Sequence, residues 1–532
     1  MLQYPKITNK ILFDLLSNRF KEDGFLSLKD LPHPSLLKDM DRATNRIIEA
    51  IKNKEKIILI GDYDVDGVVS TTVIKLFFDE IGVDLEWIIP NRFRDGYGLS
   101  PTLIPRIEGF DLVITVDNGI SAVEAANICH DMGIDLIITD HHLLPPLLPK
   151  AYAIVDQKQD DCSFPYDDIC GAQIAWYLIA SLKNALNIKI DIKSYLDLVS
   201  IAIIADMMPL KHINRTMVLV GIELLNQSDR AAVKAFKEYL DRESFTSDDI
   251  GFQLAPTLNS AGRMDDALYA VQFLLSPNIY EARVALERLV NYNNSRKEIE
   301  QDITEQALAL VNEKDDVLVL SGQSWHEGVL GIVAARVSRH CSKPTIILTE
   351  SREGELKGSG RSFGECDLFA ITNTCREYLN KFGGHQAAIG LSLYAHNLEI
   401  FRESLQVEYN NQQYSTLSYD PEIVGELSFL DITFDLTKLM QQFEPYGQTN
   451  IRPKFISQYV TILQVDTMGK NGEHLRFAFE QAGVIMTGVK FKTTEKFLGG
   501  ERVSLSYRVN ENNFRGKCTL QLLIDDIMIH DN

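Results

Sequence analysis

Lys56-Ile57-Ile58-Leu59-Ile60-Gly61-Asp62-Tyr63-Asp64-Val65-Asp66-Gly67 is the stretch that decides the fold. A short apolar, largely β-branched run of this kind forms a buried parallel strand, and here it runs straight into a loop with aspartates at alternate positions. Two more runs have the same form. Leu112-Val113-Ile114-Thr115-Val116 ends in Asp117-Asn118-Gly119, and Leu136-Ile137-Ile138-Thr139 ends in Asp140-His141-His142. Helix candidates lie between them at Val68 to Ile81 and Ala122 to Met132, and the spacing from Asp117 to His141 matches one crossover unit. The alternation from about Ile47 to Leu148 predicts an α/β unit built on a doubly wound parallel sheet. The carboxyl ends of its strands then meet along one edge, which is where such sheets bind ligands. A fourth acid segment, Ala205-Asp206, closes the apolar stretch Tyr195 to Ala205, whose length favours a helix.

Carboxylates gathered at one edge repel one another, and a divalent cation removes that repulsion. Each segment alone has a plainer reading. Asp-x-Asp-x-Asp-Gly also opens an EF-hand loop, but the twelfth residue counted from Asp62 is Val73 where that loop needs Glu, and the preceding segment reads as a strand. An acidic turn capping the next helix stays open for that segment. Asp117-Asn118-Gly119 is favourable turn chemistry after any strand. Asp140 could cap a turn beside two surface histidines or orient one of them. Taken jointly, the four segments read as one metal site. Oxygen-rich ligands with one or two imidazoles suit Mg²⁺ or Mn²⁺ better than zinc. Six potential ligands can hold two ions, and two ions about 4 Å apart activate a water and stabilise the leaving oxygen of a phosphoester. Hydrolysis of a phosphodiester or phosphoanhydride is the predicted reaction.

At 532 residues and 45% hydrophobic the chain exceeds one ordinary domain, and three or four units are expected. No apolar run approaches bilayer length, and the opening Met1-Leu2-Gln3-Tyr4-Pro5-Lys6 lacks the order of a signal peptide, so a soluble, cytoplasmic protein is expected. The seven cysteines, at 129, 162, 170, 341, 366, 375 and 518, include no Cys-x-x-Cys pair, which argues against a zinc ribbon and a disulfide framework and for reduced thiols. The formal net charge of -21 is unevenly spread: Gly425 to Asn532 holds 12 Lys+Arg against 13 Asp+Glu. Attraction for a polyanion must therefore come from local basic strips.

Between Ile279 and Leu310, apolar residues recur in steps of mostly three and four around a polar middle at Asn291 to Arg296, which predicts one long helix connecting two domains. A second α/β unit is expected from Val317-Leu318-Val319-Leu320 through Thr345-Ile346-Ile347-Leu348 to about Glu408, and the polar tract Asn410 to Thr416 is the linker candidate. Beyond it, alternating segments at Arg476 to Phe479, Val503 to Val509 and Thr519 to Ile524, with turns expected at Gly469 to Gly472 and Asn510 to Gly516, suit a small β-barrel, with an oligonucleotide-binding fold one option among several. Gly358-Ser359-Gly360-Arg361-Ser362 offers backbone N–H groups, a hydroxyl and a guanidinium to a phosphate, though a closely packed strand explains it as well. Gly328 to Arg336 opens a helix, and Lys381-Phe382-Gly383-Gly384-His385 reads as a tight turn presenting an imidazole.

These motifs, together with Asn91-Arg92-Phe93-Arg94-Asp95-Gly96-Tyr97-Gly98, Asn259-Ser260-Ala261-Gly262-Arg263 and Asn512 to Gly516, resemble the motif set of the RecJ exonucleases, within the DHH phosphoesterase superfamily. The resemblance runs from about Ile47 to the C-terminus. It implies a parallel-sheet DHH catalytic domain at 47–275, a connecting helix at 276–313, a DHH-associated domain at 314–409, and a linker with an oligonucleotide-binding domain at 410–532, preceded by an N-terminal segment at 1–46. The implied activity is 5′-to-3′ hydrolysis of single-stranded DNA to mononucleotides with Mn²⁺ or Mg²⁺, in DNA repair and recombination. Carried over motif by motif, Asp62, Asp64, Asp66, Asp117, His141 and Asp206 hold the metals, His142 assists at the scissile phosphate, and Asp140 orients a histidine. Arg92, Ser359 and Arg361 take the 5′ phosphate, with Arg263, Arg336 and His385 along the strand. The implied partners are single-stranded DNA, with single-strand-binding protein and a helicase alongside; the expected state is a monomer away from membranes. The chain departs from the commonest pattern at Val65, at Asp156-Gln157-Lys158 and at Cys170-Gly171-Ala172-Gln173-Ile174, none of which removes a proposed ligand. Two other functions fit parts of the pattern: a DHH phosphodiesterase for short oligonucleotides or cyclic dinucleotides, which the extra barrel argues against, and a non-catalytic DNA-binding relative, which the intact acid segments argue against.

Overall fold

The computed structural model describes residues 4–21, 27–351, 354–412, 422–469, 472, 474–491, 493, 495–514 and 517–530. Strands β1 (Ile57–Ile60), β2 (Glu86–Ile88), β3 (Leu112–Val116), β4 (Asp135–Thr139) and β5 (Ala153–Val155) form an all-parallel sheet in the order β2-β1-β3-β4-β5. Alternate residues of β1 enter different cores: Ile57 and Leu59 join the cluster under helices Val65–Glu80 and Gly171–Leu186, while Ile58 and Ile60 join the one packed on helix Val123–Asp131. Because both faces are covered, the strand is a continuous apolar run. The chain order reverses between β1 and β3, and the crevice outside the strand ends at such a switch point is where α/β sheets bind ligands. The side chain of Asn118 holds this crevice together: its Nδ2 donates to the carbonyls of Ile60 (3.0 Å) and Val116 (2.9 Å), and its Oδ1 accepts from the Leu99 N–H at 3.0 Å.

Helix Ile279–Ala309 carries the chain out of this domain. Ala282, Leu286 and Leu289 are buried in the first core, while Ile303 and Ala307 are buried in the second domain's core. Between these contacts the helix holds the buried carboxylate of Glu300, which accepts from Arg296 Nη1 at 2.7 Å and pairs with Arg336 of helix Leu330–Cys341. The second domain is a mixed sheet, β6-β7-β8-β10-β9, made of β6 (Leu318–Gly322), β7 (Thr345–Glu350), β8 (Glu355–Arg361), β9 (Lys381–His385) and β10 (Ala388–Tyr394), with only the β6–β7 pair parallel.

The C-terminal unit comprises β11 (Ile423–Glu426), β12 (Lys454–Met468), β13 (His474–Gln481), β14 (Val484–Lys490), β15 (Arg502–Phe514) and β16 (Lys517–Ile529). Its order is β11-β12-β13-β14-β16-β15, and a further β12–β15 pairing closes β12 to β16 into a five-stranded barrel with a parallel β14–β16 contact. This is the closed Greek-key barrel of an oligonucleotide-binding fold. Its core also takes in Ile7, Leu12, Leu16 and Phe20 from the N-terminal segment, whose helix Asn9–Asn18 packs beside helix Phe434–Gln441. Among the described residues no helix is long and apolar enough to cross a membrane.

Several expectations are corrected. Lys381 to His385 is edge strand β9, not a tight turn; a Cβ at Gly384 would lie 2.3 Å from the Ala388 carbonyl oxygen, so that glycine permits close backbone approach to the neighbouring strand. Gly358 to Arg361 lies in the middle of the sheet, where its backbone pairs with β7 and β10 and leaves only side chains for a ligand. The turn expected at Asn510 to Gly516 is strand through Phe514, and residues 515–516 lie outside the described residues. So do residues 470–471 of the Gly469 to Gly472 turn and 413–416 of the linker tract, whose first residues, Asn410 and Asn411, end helix Leu398–Asn411. The boundary at 46/47 falls inside helix Met40–Asn53. Strands β2, β5 and β12 had no strong sequence signal. The first two are only three residues long, and β12 is broken by bulges that interrupt its alternation.

Removing a buried acid strands the cations that surround it, whereas an exposed pair contributes little. Glu300→Ala should therefore lower stability by about 3 kcal/mol. Glu238→Ala, which breaks the exposed pair with Arg283, should leave it nearly unchanged. Equal shifts of the two denaturation midpoints would contradict this reading of the interdomain helix.

Candidate metal centre and phosphate pocket

Asp62 and Asp64 leave the end of β1, Asp117 leaves β3 with a left-handed backbone (φ 61°), Asp140 and His141 leave β4, and Asp206 follows helix Leu196–Ala205. Ligand atoms of Asp62, Asp64 and Asp117 lie within 4.8 Å of one another, as do those of Asp66, His141 and Asp206, and those of Asp117, His141 and His142. Two aspartates also have structural partners. Asp64 Oδ1 caps helix Val65–Glu80 by accepting from the Asp66 N–H (3.0 Å) and the Gly67 N–H (3.2 Å). Asp66 is gripped by the first turn of helix Gly171–Leu186, whose Gly171 and Ala172 N–H groups donate at 2.6 and 2.8 Å. Gly171 must lack a side chain, since a Cβ there would come within 2.6 Å of Asp117.

The electrostatics of the cluster favour a bound cation. Burial, then the charge of Asp64, raises Asp66 to about 6, and burial with the charge of Asp66 raises Asp206 to about 8. Burial and neighbouring carboxylates push Asp62 and Asp117 well above the usual range. Burial, aided by His142, depresses His141 to about 3, so its imidazole is neutral. His141 also hydrogen bonds the Ile169 backbone. With the ring hydrogen assigned there, Nε2 turns a lone pair towards Asp117 (3.1 Å), Asp66 (3.6 Å) and Asp206 (3.7 Å). Asp62 Oδ1, Asp117 Oδ1 and Asp206 Oδ2 are buried without a hydrogen-bond donor. Acceptors facing only acceptors fit a divalent cation, and an oxygen-dominated set suits Mn²⁺ or Mg²⁺.

His142 has the opposite environment. Burial works against its charge, but the Asp140 carboxylate, 2.7 Å from Nδ1, raises it to about 9, so it is an imidazolium at neutral pH. Asp140 is itself fixed by the Ile120 N–H at 2.8 Å and the His141 N–H at 2.8 Å. The Tyr97 hydroxyl lies 3.3 Å from His142 Nε2 and donates to the Asp117 carbonyl at 3.2 Å. Sequence reading quoted the motif holding Tyr97 without assigning it a role; a lone tyrosine in a loop carries no spacing signal. Asp156, at the end of β5, was likewise passed over. Burial raises it to about 7, and its Oδ2 has no donor.

A cavity of about 590 Å³ lies between the first and second domains, and Arg92, Arg263, Ser359 and Arg361 all line it. Arg92 stacks 4.2 Å from the ring centroid of Tyr63. Arg361 Nη1 donates to Ser359 Oγ at 2.9 Å, and Arg263 Nη1 to the Gly328 carbonyl at 3.2 Å. Burial, then nearby arginines, lowers Arg263 to about 10. Lys357 and Lys381 share this wall; the sequence gives neither a role, because lysines near glycines are common. Two expected strand contacts lie elsewhere: Arg336 is engaged by Glu300, and His385 sits on the exposed edge strand β9.

The fold and these clusters define a protein of the DHH class. Residues 56–203 match the DHH family, N-terminal domain; 314–410 match the DHHA1 domain; and 423–526 match the RecJ OB domain. The chain is 34% identical over 526 residues to the single-stranded-DNA-specific exonuclease RecJ of Escherichia coli, covering 92% of this chain and 90% of that protein, and 33% identical to the Salmonella typhimurium protein of that name at the same coverage. The crystal structure of RecJ with Mn²⁺ from Thermus thermophilus has the same fold, with a TM-score of 0.81 at 24% identity over 98% of this chain and 76% of that one. A crystal structure of exonuclease RecJ bound to manganese is 26% identical over 71% of this chain and 96% of the other, with a TM-score of 0.62. The chain belongs to the RecJ family of single-stranded-DNA-specific exonucleases.

Asp206 and His142 both bind protons more tightly folded than unfolded. Between pH 6.5 and 8 the folded state therefore holds more protons, and stability falls as pH rises; below pH 6.5 the depressed His141 acts in the opposite sense. In chelator, melting temperature should drop between pH 6.5 and 8, less steeply in Asp206→Asn, and Mn²⁺ should raise it more at pH 8, where fewer protons compete for the ligands. A flat profile in chelator with no response to Mn²⁺ would contradict the assignment.

Proposed function

We propose that this protein is a 5′-to-3′ exonuclease that hydrolyses single-stranded DNA to 5′-mononucleotides in DNA repair and recombination. The observation carrying the proposal is the pairing of an acceptor-only cluster of buried carboxylates with a guanidinium-lined cavity beside it. We assign Asp62, Asp64, Asp66, Asp117, His141 and Asp206 as ligands of two Mn²⁺ or Mg²⁺ ions. When bound, such a pair supplies an activated water and charge stabilisation at a phosphodiester. The residues of the chain do the rest. Arg92, Ser359 and Arg361 hold the terminal phosphate through charge-assisted hydrogen bonds, so cleavage is counted from that end. Arg263 holds the backbone between pocket and metals. The His142 imidazolium, oriented by Asp140, offsets the negative charge that grows at the scissile phosphate. Arg336 and His385 remain assigned to more distant parts of the strand.

The division of the chain that accompanies this reading is a catalytic unit at 47–275, a connecting helix at 276–313, a DHHA1 unit at 314–409 and an oligonucleotide-binding unit with its linker at 410–532, with 1–46 shared between the first and last. A monomer in the cytoplasm, working beside single-strand-binding protein and a helicase, completes the proposal.

Labelled single strands, blunt duplexes and dinucleotides, each with Mn²⁺, Mg²⁺ or chelator, test the reading. Rapid loss of the long 5′-phosphorylated strand alone is expected. Equal cleavage of duplex, or a preference for dinucleotides, would overturn it. Asp66→Ala should lower turnover on the order of 10²- to 10³-fold or more with little effect on strand binding. Arg361→Ala should reduce the preference for phosphate over hydroxyl ends by about 10- to 100-fold; an unchanged preference removes that residue from the pocket.

A further inference from the structure

A second cavity, of about 460 Å³, opens on the other side of Asp206, where the first domain, the connecting helix and the C-terminal unit meet. It is lined mainly by apolar groups, and two of them stand out in solvent. Phe252 is 75% exposed and Met207, next to Asp206, is 65% exposed. Both sit on unusual backbone. Phe252 lies in a π-helical turn, Ile250–Leu254, and Met207 has a left-handed φ of 54°, which is uncommon for a residue with a side chain. Such conformations persist where the surroundings hold them, and they concentrate at working sites. Neither side chain belongs to a core, although Ile250 and Leu254 at the two ends of the turn are buried in the first one and anchor it, so Phe252 is held facing solvent.

The cavity is continuous with the machinery already described. Arg263 lines both it and the phosphate pocket, and Asn259, on the same helix, accepts from the Val65 N–H in the acid loop at 3.1 Å. Arg296 adds a second guanidinium to the wall, steadied by Glu300 and Asn293, and the acid there, Asp248, is paired with Arg452. On the far side the Leu210 N–H donates to the Gln448 carbonyl at 2.9 Å, joining the cavity's edge to the C-terminal unit. A strand with its end in the phosphate pocket and its linkage at the metals would leave through this opening. We propose that Phe252, backed by Met207, is a stacking shelf for a nucleobase more than one nucleotide 3′ of the scissile linkage, with Arg263 and Arg296 facing the backbone phosphates. An aromatic face and a polarisable thioether accept any base, whereas paired guanidiniums favour a polyanion, so the surface recognises single-stranded nucleic acid irrespective of sequence. This proposal rests on the exonuclease reading.

The test uses the full chain with Phe252→Ala, Phe252→Leu and Phe252→Trp. For a 5′-phosphorylated 20-mer of thymidine in Mn²⁺, the Ala and Leu variants should raise KM about 5- to 100-fold, and Trp should restore it. A 5′-phosphorylated dinucleotide, too short to reach the shelf, should be cleaved by all of them within twofold of the unmodified chain. Moving a single abasic site along the 20-mer should reveal one position that weakens binding to the unmodified chain and has no effect on Phe252→Ala. An unchanged KM in Phe252→Ala, an equal loss on the dinucleotide, or full activity in Phe252→Leu would each overturn the shelf. Anisotropy of a labelled 20-mer in chelator separates the two readings. If the unmodified chain binds in chelator but does not cleave once Mn²⁺ is supplied, the exonuclease reading fails, and a 5- to 100-fold weaker affinity in Phe252→Ala, on the order expected for one stacked base, still supports the shelf, whereas equal affinity overturns it.

Discussion

Mutual repulsion among buried carboxylates is the constraint around which this molecule is organised. Asp62, Asp66 and Asp117 are each almost wholly buried, and Asp62 Oδ1 and Asp117 Oδ1 meet no donor. Burying one ionised carboxylate is expensive, and burying several with oxygens within 4.8 Å of each other is more so. The surrounding fold offsets part of that cost. The first turn of helix Gly171–Leu186 donates two N–H groups to Asp66, and Asp64 satisfies the start of helix Val65–Glu80. What those contacts leave over is a set of acceptors aimed at common points, which is the local definition of a site for hard cations.

That arrangement depends on where β1 and β3 part. In a doubly wound sheet the switch point is a gap between loops running in opposite senses, and here Asn118 bridges its two sides through three hydrogen bonds. The same crevice receives His141 from β4 and Asp206 from a helix almost 90 residues beyond the third strand. Around it, positive charge is held back from the carboxylates. Arg92 stacks on Tyr63, Arg361 is tied to Ser359, and Arg296 and Arg336 share Glu300. A negatively charged chain can thus be drawn in by guanidiniums and still meet metal ligands that no internal cation has neutralised. The connecting helix ties these halves together, with one end in each domain's core and its charged middle spanning the gap.

Much of this was legible in the residues. Both-faces-buried strands appear as unbroken β-branched runs, and acids placed directly after them are unusual enough in combination to mark the edge. The long helix was readable from its period, and its polar middle from the break in that period. Less legible were elements whose residues answer to partners far along the chain. β2 and β5 are too short to show a pattern, β12 loses its alternation at bulges, and β9 hides behind glycines that a sequence reader takes for a turn. The N-terminal helix gives no sign that its apolar face completes a barrel formed more than 400 residues later.

Residue type and nearness to a strand end are local properties, so the groups able to bind metal and phosphate could be picked out from the chain alone. Tertiary structure alone decided how they are used. It set His141 neutral and His142 charged although the two are adjacent, because one is buried beside the other's charge while the other rests on Asp140. It turned Arg336 towards Glu300, left His385 on an outer edge, and brought Lys357 and Lys381 to the wall beside Arg361. Protonation and pairing depend on distance and burial, and these follow from packing between segments that are remote in the chain.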